Sequence, residues 1–177
     1  MQWFFYGTLL DPDIRAAVFP GVAEALELTP AWLRGFRRLR AKGAHYPVLA
    51  PRASAWVPGL VARGLDEQAV LRAAHFEGGE YEPRRLPVRL SCGGRSQAWL
   101  FMPRHGGFAS AEPWSYGQWL RRRKRQTMPQ VAFWMNQPGV DHLSSPELLW
   151  HVRQQIRRIA AEAAPAAAGQ PAWRLAA

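Results

Sequence analysis

The chain has 177 residues, of which 48% are hydrophobic, enough for one cored domain with an appendage and too apolar for general disorder. No apolar run approaches the roughly 20 residues of a membrane span and the N-terminus lacks a secretory signal pattern, so a soluble, cytoplasmic protein is expected. The formal charge is +10, but arginine outnumbers lysine 21 to 2, a bias that reads as genome composition rather than as a nucleic-acid interface, and the single cysteine, Cys92, allows neither an internal disulfide nor a zinc site.

Residues 2 to 6 read as a first strand, followed by the apolar run FFYGTLL, 4 to 10. Glycine in a buried strand loses entropy and packs nothing, so a turn is expected at Gly7. Asp11 then fits an N-cap and Pro12 a first helical residue, with Ile14, Ala17 and Val18 at helical spacing. Such a strand, tight loop and helix collects unpaired backbone N–H groups that attract anions, although a plain connecting loop has the same look. AWLRGFRRLRAKG, 31 to 43, suits a twisted strand or a short helix; Gly35 and Gly43 favour the strand. AHYPVLAP, 44 to 51, is expected at a sheet edge or in a loop because of its two prolines. WVPGLVARGL, 56 to 65, reads as another strand, with a bulge or close backbone approach at Gly59.

The period then changes. DEQAVLRAAHFEGGEY, 66 to 81, predicts a helix with an acidic first turn that stops at Gly78 and Gly79. Residues 84 to 90 and 96 to 102 alternate around a Cys-Gly-Gly-Arg turn, a hairpin signature. Five or six strands among few helices predict an α+β domain with a curved or barrel-like sheet. Further on, a helix is expected over 112 to 126, with Trp114 and Trp119 or Leu120 inward and RRRKR, 121 to 125, outward. A longer amphipathic helix is expected over 144 to 164, then a low-complexity tail. The expected domain spans residues 1–128, and residues 129–177 form a C-terminal helical extension and tail.

Among titratable residues, Glu77 stands at a helix end beside Phe76, where the dipole and desolvation both raise a carboxylate pKa toward that of a general base. A surface glutamate at a helix end would show the same pattern. The five histidines show no metal-ligand spacing, and neither GxSxG nor a phosphate-binding P-loop is present. Tyr46 and Tyr81 offer hydroxyls to a pocket or serve as packing.

FFYGTLLDPDIRAAVF, LRGFRRLRAKGAHYPVL and FEGGEY, in that order, resemble the gamma-glutamylcyclotransferase-like superfamily, in its branch similar to plant avirulence-induced proteins. The resemblance covers roughly residues 2 to 125. It implies a small mixed barrel with a cavity, a substrate-holding loop at Tyr6, Gly7, Thr8 and Leu9, and Glu77 as catalytic acid/base, with Tyr46 and Tyr81 as further binding residues. It also implies a reaction without cofactor or metal: the substrate's own α-amine attacks its γ-carbonyl, giving 5-oxoproline and a free amine. The expected partner is thus a small molecule with a gamma-glutamyl-like group. A non-catalytic binding member of the same fold is the alternative, and a basic nucleic-acid-associated protein a third reading.

Overall fold

In the computed structural model, residues 1–104 and 108–142 are described. The helix expected over 144 to 164 and the tail lie outside them. Strict alternation in the first strand, β1 (Gln2–Phe5), divides its aromatic side chains between two faces. Phe4, with Tyr6 just beyond, joins a buried cluster that includes Leu33, Val57, Val61, Val88 and Leu100. Phe5 points the other way and stacks on Phe19 at 6.0 Å, and Trp3 stacks on Phe101 at 5.0 Å. Each such fully buried side chain stabilises the fold by roughly 1.5–3 kcal/mol relative to exposure.

The cluster fills a closed barrel. The strands are β2 (Glu27–Ala41), β3 (Pro47–Arg63), β4 (Tyr81–Leu90), β5 (Arg95–Pro103) and β6 (Ala109–Pro113). Their order is β3-β1-β5-β4-β2-β6, and a further β3–β2 pairing closes the first five into a ring. Strand β6 lies outside this ring, paired to β2. The β1–β5 pair is parallel and the others antiparallel. Closure removes most of the edge that an open sheet would expose.

The segments expected separately at 44 to 51 and 56 to 65 form one strand, β3. Four residues, 52 to 55, bulge out opposite Gly35, so pairing resumes from Arg34↔Trp56 to Phe36↔Pro51. A two-period pattern interrupted by such a bulge reads as two elements. Gly59 is a close approach instead: a Cβ there would lie 2.3 Å from the Phe5 carbonyl oxygen and 2.5 Å from the Phe4 ring.

Among the described residues, four α-helices pack outside the ring: α1 (Pro12–Val18), α2 (Glu67–Glu77), α3 (Tyr116–Arg122) and α4 (Lys124–Met135). The helix expected over 112 to 126 is corrected by this arrangement. Residues 109 to 113 pair with β2, Ser115 caps α3 by accepting the Gln118 N–H, and the chain breaks at Arg123 before α4 begins. Trp119 is buried and Leu120 exposed. Helix α4 continues through residues 128 and 129. Buried Arg72 of α2 binds the helices together, its Nε donating to Val18 O at 2.7 Å and its Nη2 to Ala17 O at 3.2 Å and Met135 O at 3.3 Å. A guanidinium at two helix C-termini meets the negative ends of both dipoles. Its Nη1 pairs with Asp141 at 2.6 Å. No described helix is long and apolar enough to cross a membrane.

Candidate active site

Where β1 ends, Tyr6 still faces the barrel cluster and its hydroxyl donates to Phe101 O at 2.6 Å. The chain then turns through Gly7 into a single 3-10 turn, Thr8–Leu10, and into the Asp11 cap of α1. Gly7 has an ordinary negative φ, so left-handed backbone is not why glycine is there. Space is the reason: a Cβ would stand 3.0 Å from Pro47 Cγ at the start of β3.

The carbonyls of this loop are all occupied. Arg38 donates to Tyr6 O at 3.1 Å, and Arg15, itself buried, donates from one Nη1 to Leu9 O at 2.9 Å and Leu10 O at 2.8 Å. The turn's first internal bond runs from Leu10 N–H to Gly7 O at 3.1 Å, so the preceding N–H groups have no carbonyl partner within it. Tyr6, Gly7 and Thr8 line a cavity of about 730 Å³, within the range of roughly 300–1,000 Å³ usual for small-molecule sites. Leu9 does not line it; its side chain is in the core.

Glu77 reaches the same cavity from α2. Its position follows from local sequence: Asp66 starts the helix by accepting the Ala69 N–H at 2.7 Å, and Gly78, at φ +77°, stops it immediately after Glu77. Among the described residues no cation or hydrogen-bond donor pairs with the Glu77 carboxylate. Burial away from water therefore raises its pKa from 4.5 to about 8. The part of its surface that stays open faces the cavity.

Tyr46 and Tyr81 complete this end. Tyr81 donates its hydroxyl to Pro47 O at 2.9 Å and meets Tyr46 edge-on at 6.4 Å. Burial and then the nearby Glu77 charge push the Tyr6 and Tyr81 pKa values upward, so both hydroxyls stay protonated. The structure thus brings together Glu77, Tyr6, Gly7, Thr8, Tyr46 and Tyr81 at one cavity.

Several lining residues escaped the sequence reading. His75 and Phe76 precede Glu77 on α2, and His45 precedes Tyr46. Gly43, Ala44 and Pro47 flank His45 and Tyr46, Gly78 and Glu80 follow Glu77, and the helices add Trp119 of α3 and Thr127, Gln130, Val131 and Trp134 of α4. Positions 127, 130, 131 and 134 form one face of a helix, a signal that Pro129 within it obscures. The RRRKR run is not wholly solvated either. Lys124 turns inward to Asp11 at 2.9 Å and Asp13 at 2.6 Å, while Arg121, Arg122 and Arg125 are exposed. Among the described residues, no three His, Cys, Asp or Glu side chains are grouped to hold a metal.

The description "Gamma-glutamyl cyclotransferase, AIG2-like" matches residues 3–121. AIG2-like protein A of Arabidopsis thaliana is 28% identical over 128 residues, covering 70% of this chain and 74% of its own. AIG2-like protein C of the same plant is 31% identical over 88 residues, covering 50% and 49%. Two solution structures of Arabidopsis thaliana proteins share the fold: one at TM-score 0.54 and 24% identity, covering 73% of this chain and 86% of its own, the other at 0.55 and 20%, covering 78% and 85%. With the family match spanning most of the barrel, the site loop and Glu77, the chain belongs to the gamma-glutamyl cyclotransferase, AIG2-like family.

Proposed function

We propose that this protein is a cyclotransferase that converts a γ-glutamyl amide to 5-oxoproline and a free amine, with Glu77 as the general acid/base. The observation that carries the reading is an unpaired carboxylate, held at a pKa of about 8, on the same cavity as the Tyr6–Thr8 loop. A carboxylate tuned near neutrality exchanges protons efficiently with an amine at working pH.

The step balances without any other reactant. Glu77 takes a proton from the substrate's α-ammonium, and the freed amine attacks the γ-carbonyl carbon to close a five-membered ring. A C–N bond forms, and the tetrahedral intermediate carries its negative charge on the former carbonyl oxygen. The bond to the leaving nitrogen then breaks as Glu77 returns its proton to that nitrogen, and the ring nitrogen, which still carries two protons after its attack, gives one up through Glu77 to the released amine, which departs as its ammonium. Because nucleophile and electrophile belong to one molecule, the protein's task is to fold the substrate and carry protons from one of its nitrogens to the other.

The other residues divide that task. N–H groups of Gly7, Thr8 and Leu9 bind the substrate carboxylate or the developing oxyanion. Leu9 acts through its backbone, since its side chain is core. Tyr6 and Tyr81 hold the walls beside Glu77, with Tyr46 packed edge-on against Tyr81. The non-catalytic alternative fits less well, since a binding module has no need of an unpaired carboxylate at the cavity surface.

Incubation with a panel of γ-glutamyl amides and peptides, with 5-oxoproline as readout, tests the reaction. Turnover by the wild type and none by Glu77→Gln is the expected result. Unchanged activity in Glu77→Gln would sink the assignment.

A further inference from the structure

The cavity is lined by two unlike sets of residues. The barrel, the Tyr6–Thr8 loop and the end of α2 supply Glu77, Glu80, His45, His75 and the hydroxyls of Tyr6 and Tyr81; α3 and α4 supply Trp119, Thr127, Gln130, Val131 and Trp134. Of this second set, the four α4 residues stand beyond residue 121, where the family match ends. The family match thus covers the loop and Glu77, while the four α4 residues of this wall lie beyond it.

This second wall is aromatic and lacks charge. The Trp134 indole lies against the His75 ring at 4.9 Å and 11°, and its N–H donates to His75 O at 3.3 Å. Its polar edge is therefore used, yet 48% of the residue remains exposed. The Thr127 hydroxyl donates to Arg123 O at 3.0 Å within α4. No carboxylate, lysine or arginine of α3 or α4 lines the cavity. A charged group brought there would lose water and gain no ion pair.

We infer that this aromatic wall receives the amine half of the substrate, and that the amine bears an aromatic or branched apolar group rather than a second charged centre. The inference rests on the cyclotransferase reading: with the γ-glutamyl head at Glu77 and the loop, the leaving amine extends toward α4. An apolar body there gains contact with Trp134 and Phe76. A zwitterionic body, such as a lysine linked through its side chain, would set its carboxylate against rings that offer it no cation.

Two measurements test the inference and separate it from the reaction. Turnover by the wild type is compared for the γ-glutamyl amides of phenethylamine, isobutylamine and ethylamine and for γ-glutamyl-ε-lysine. Binding of the same compounds to Glu77→Gln is measured by calorimetry. The phenethyl and isobutyl compounds should exceed the ethyl and lysyl ones by about tenfold or more in kcat/KM and in affinity. Trp134→Ala should erase most of that preference, raising KM for the phenethyl and isobutyl compounds about tenfold more than for the ethyl one. Trp56→Ala, which removes an equally exposed tryptophan outside the cavity, should change neither. Turnover without preference, or with lysine favoured, overturns the inference and leaves the reaction standing. Apolar-selective binding without any turnover removes the reaction and keeps the preference of the α4 wall; neither selective binding nor turnover removes both.

Discussion

Two shielded carboxylates in this domain stand at opposite ends of helices and are treated in opposite ways. Asp11 begins α1 and is fully buried, but it is surrounded by donors: the N–H groups of Asp13 and Ile14, the Tyr116 hydroxyl at 3.2 Å and Lys124 at 2.9 Å. Burial opposes its ionisation, and the Lys124, Ile14 and Tyr116 contacts outweigh it, so its pKa falls below the ordinary carboxylate range. Glu77 ends α2 with no such partner among the described residues, and burial drives its pKa to about 8. The same residue chemistry yields a structural anion where the backbone offers N–H groups and a proton carrier where it does not. Asp11 holds the end of the Tyr6–Leu10 loop in place, and in the proposed reaction Glu77 is free to act on what that loop would bind.

That contrast can be broken at either end. The largest effect is expected at Glu77: Glu77→Gln should lower turnover on the order of 10³-fold, as loss of a general acid/base does, with an unchanged circular dichroism spectrum. Asp11→Ala should instead act on stability, costing about 1–3 kcal/mol in urea unfolding because it removes a helix cap and one of the two carboxylates paired with Lys124. If Asp11→Ala unfolded at the wild-type midpoint, the structural role given to this carboxylate would be wrong.

Acid and alkali should separate the two carboxylates further. The Glu77 pKa is raised on folding, so the folded state binds more protons and stability falls as pH rises from 4.5 toward about 8. Glu77→Gln should flatten that limb, a gain of about 1–3 kcal/mol at alkaline pH. The Asp11 pKa is lowered on folding, so its contribution is present above the unfolded value and is lost as pH falls through the folded one. Activity should follow the ionised base and rise with pH through about 8 in the kcat/KM profile. The smallest effect is expected at Gly7→Ala, where Pro47 must shift by a few tenths of an ångström. About 0.5–1 kcal/mol of stability and a several-fold higher KM should be lost together. A mutant with wild-type KM would show that the loop tolerates the added methyl group without moving.

Much of the architecture was legible before any coordinates. The strand at residues 2 to 6, the Asp11 cap, the helix with an acidic first turn that stops at Gly78 and the hairpin around Cys92-Gly93-Gly94-Arg95 are local signals, set within a few residues of backbone geometry. Glu77 and the Tyr6–Thr8 loop were legible as candidates for the same reason, and the sequence resemblance joined them.

What local sequence could not determine is which distant surfaces meet. Closure of the ring depends on β3 pairing with both β1 and β2, and α4 becomes a cavity wall only by packing on α1 and α2. Lys124 illustrates the limit. Within RRRKR it looks like one more solvated cation, and only the fold carries it to Asp11 and Asp13, residues more than a hundred positions away. The sequence by itself determined where helices start, strands alternate and a carboxylate ends a helix, because neighbouring backbone decides those. Only the tertiary structure decided that Asp11 meets a lysine and that Glu77 meets none among the described residues, because burial and charge pairing belong to groups the chain brings together from far apart.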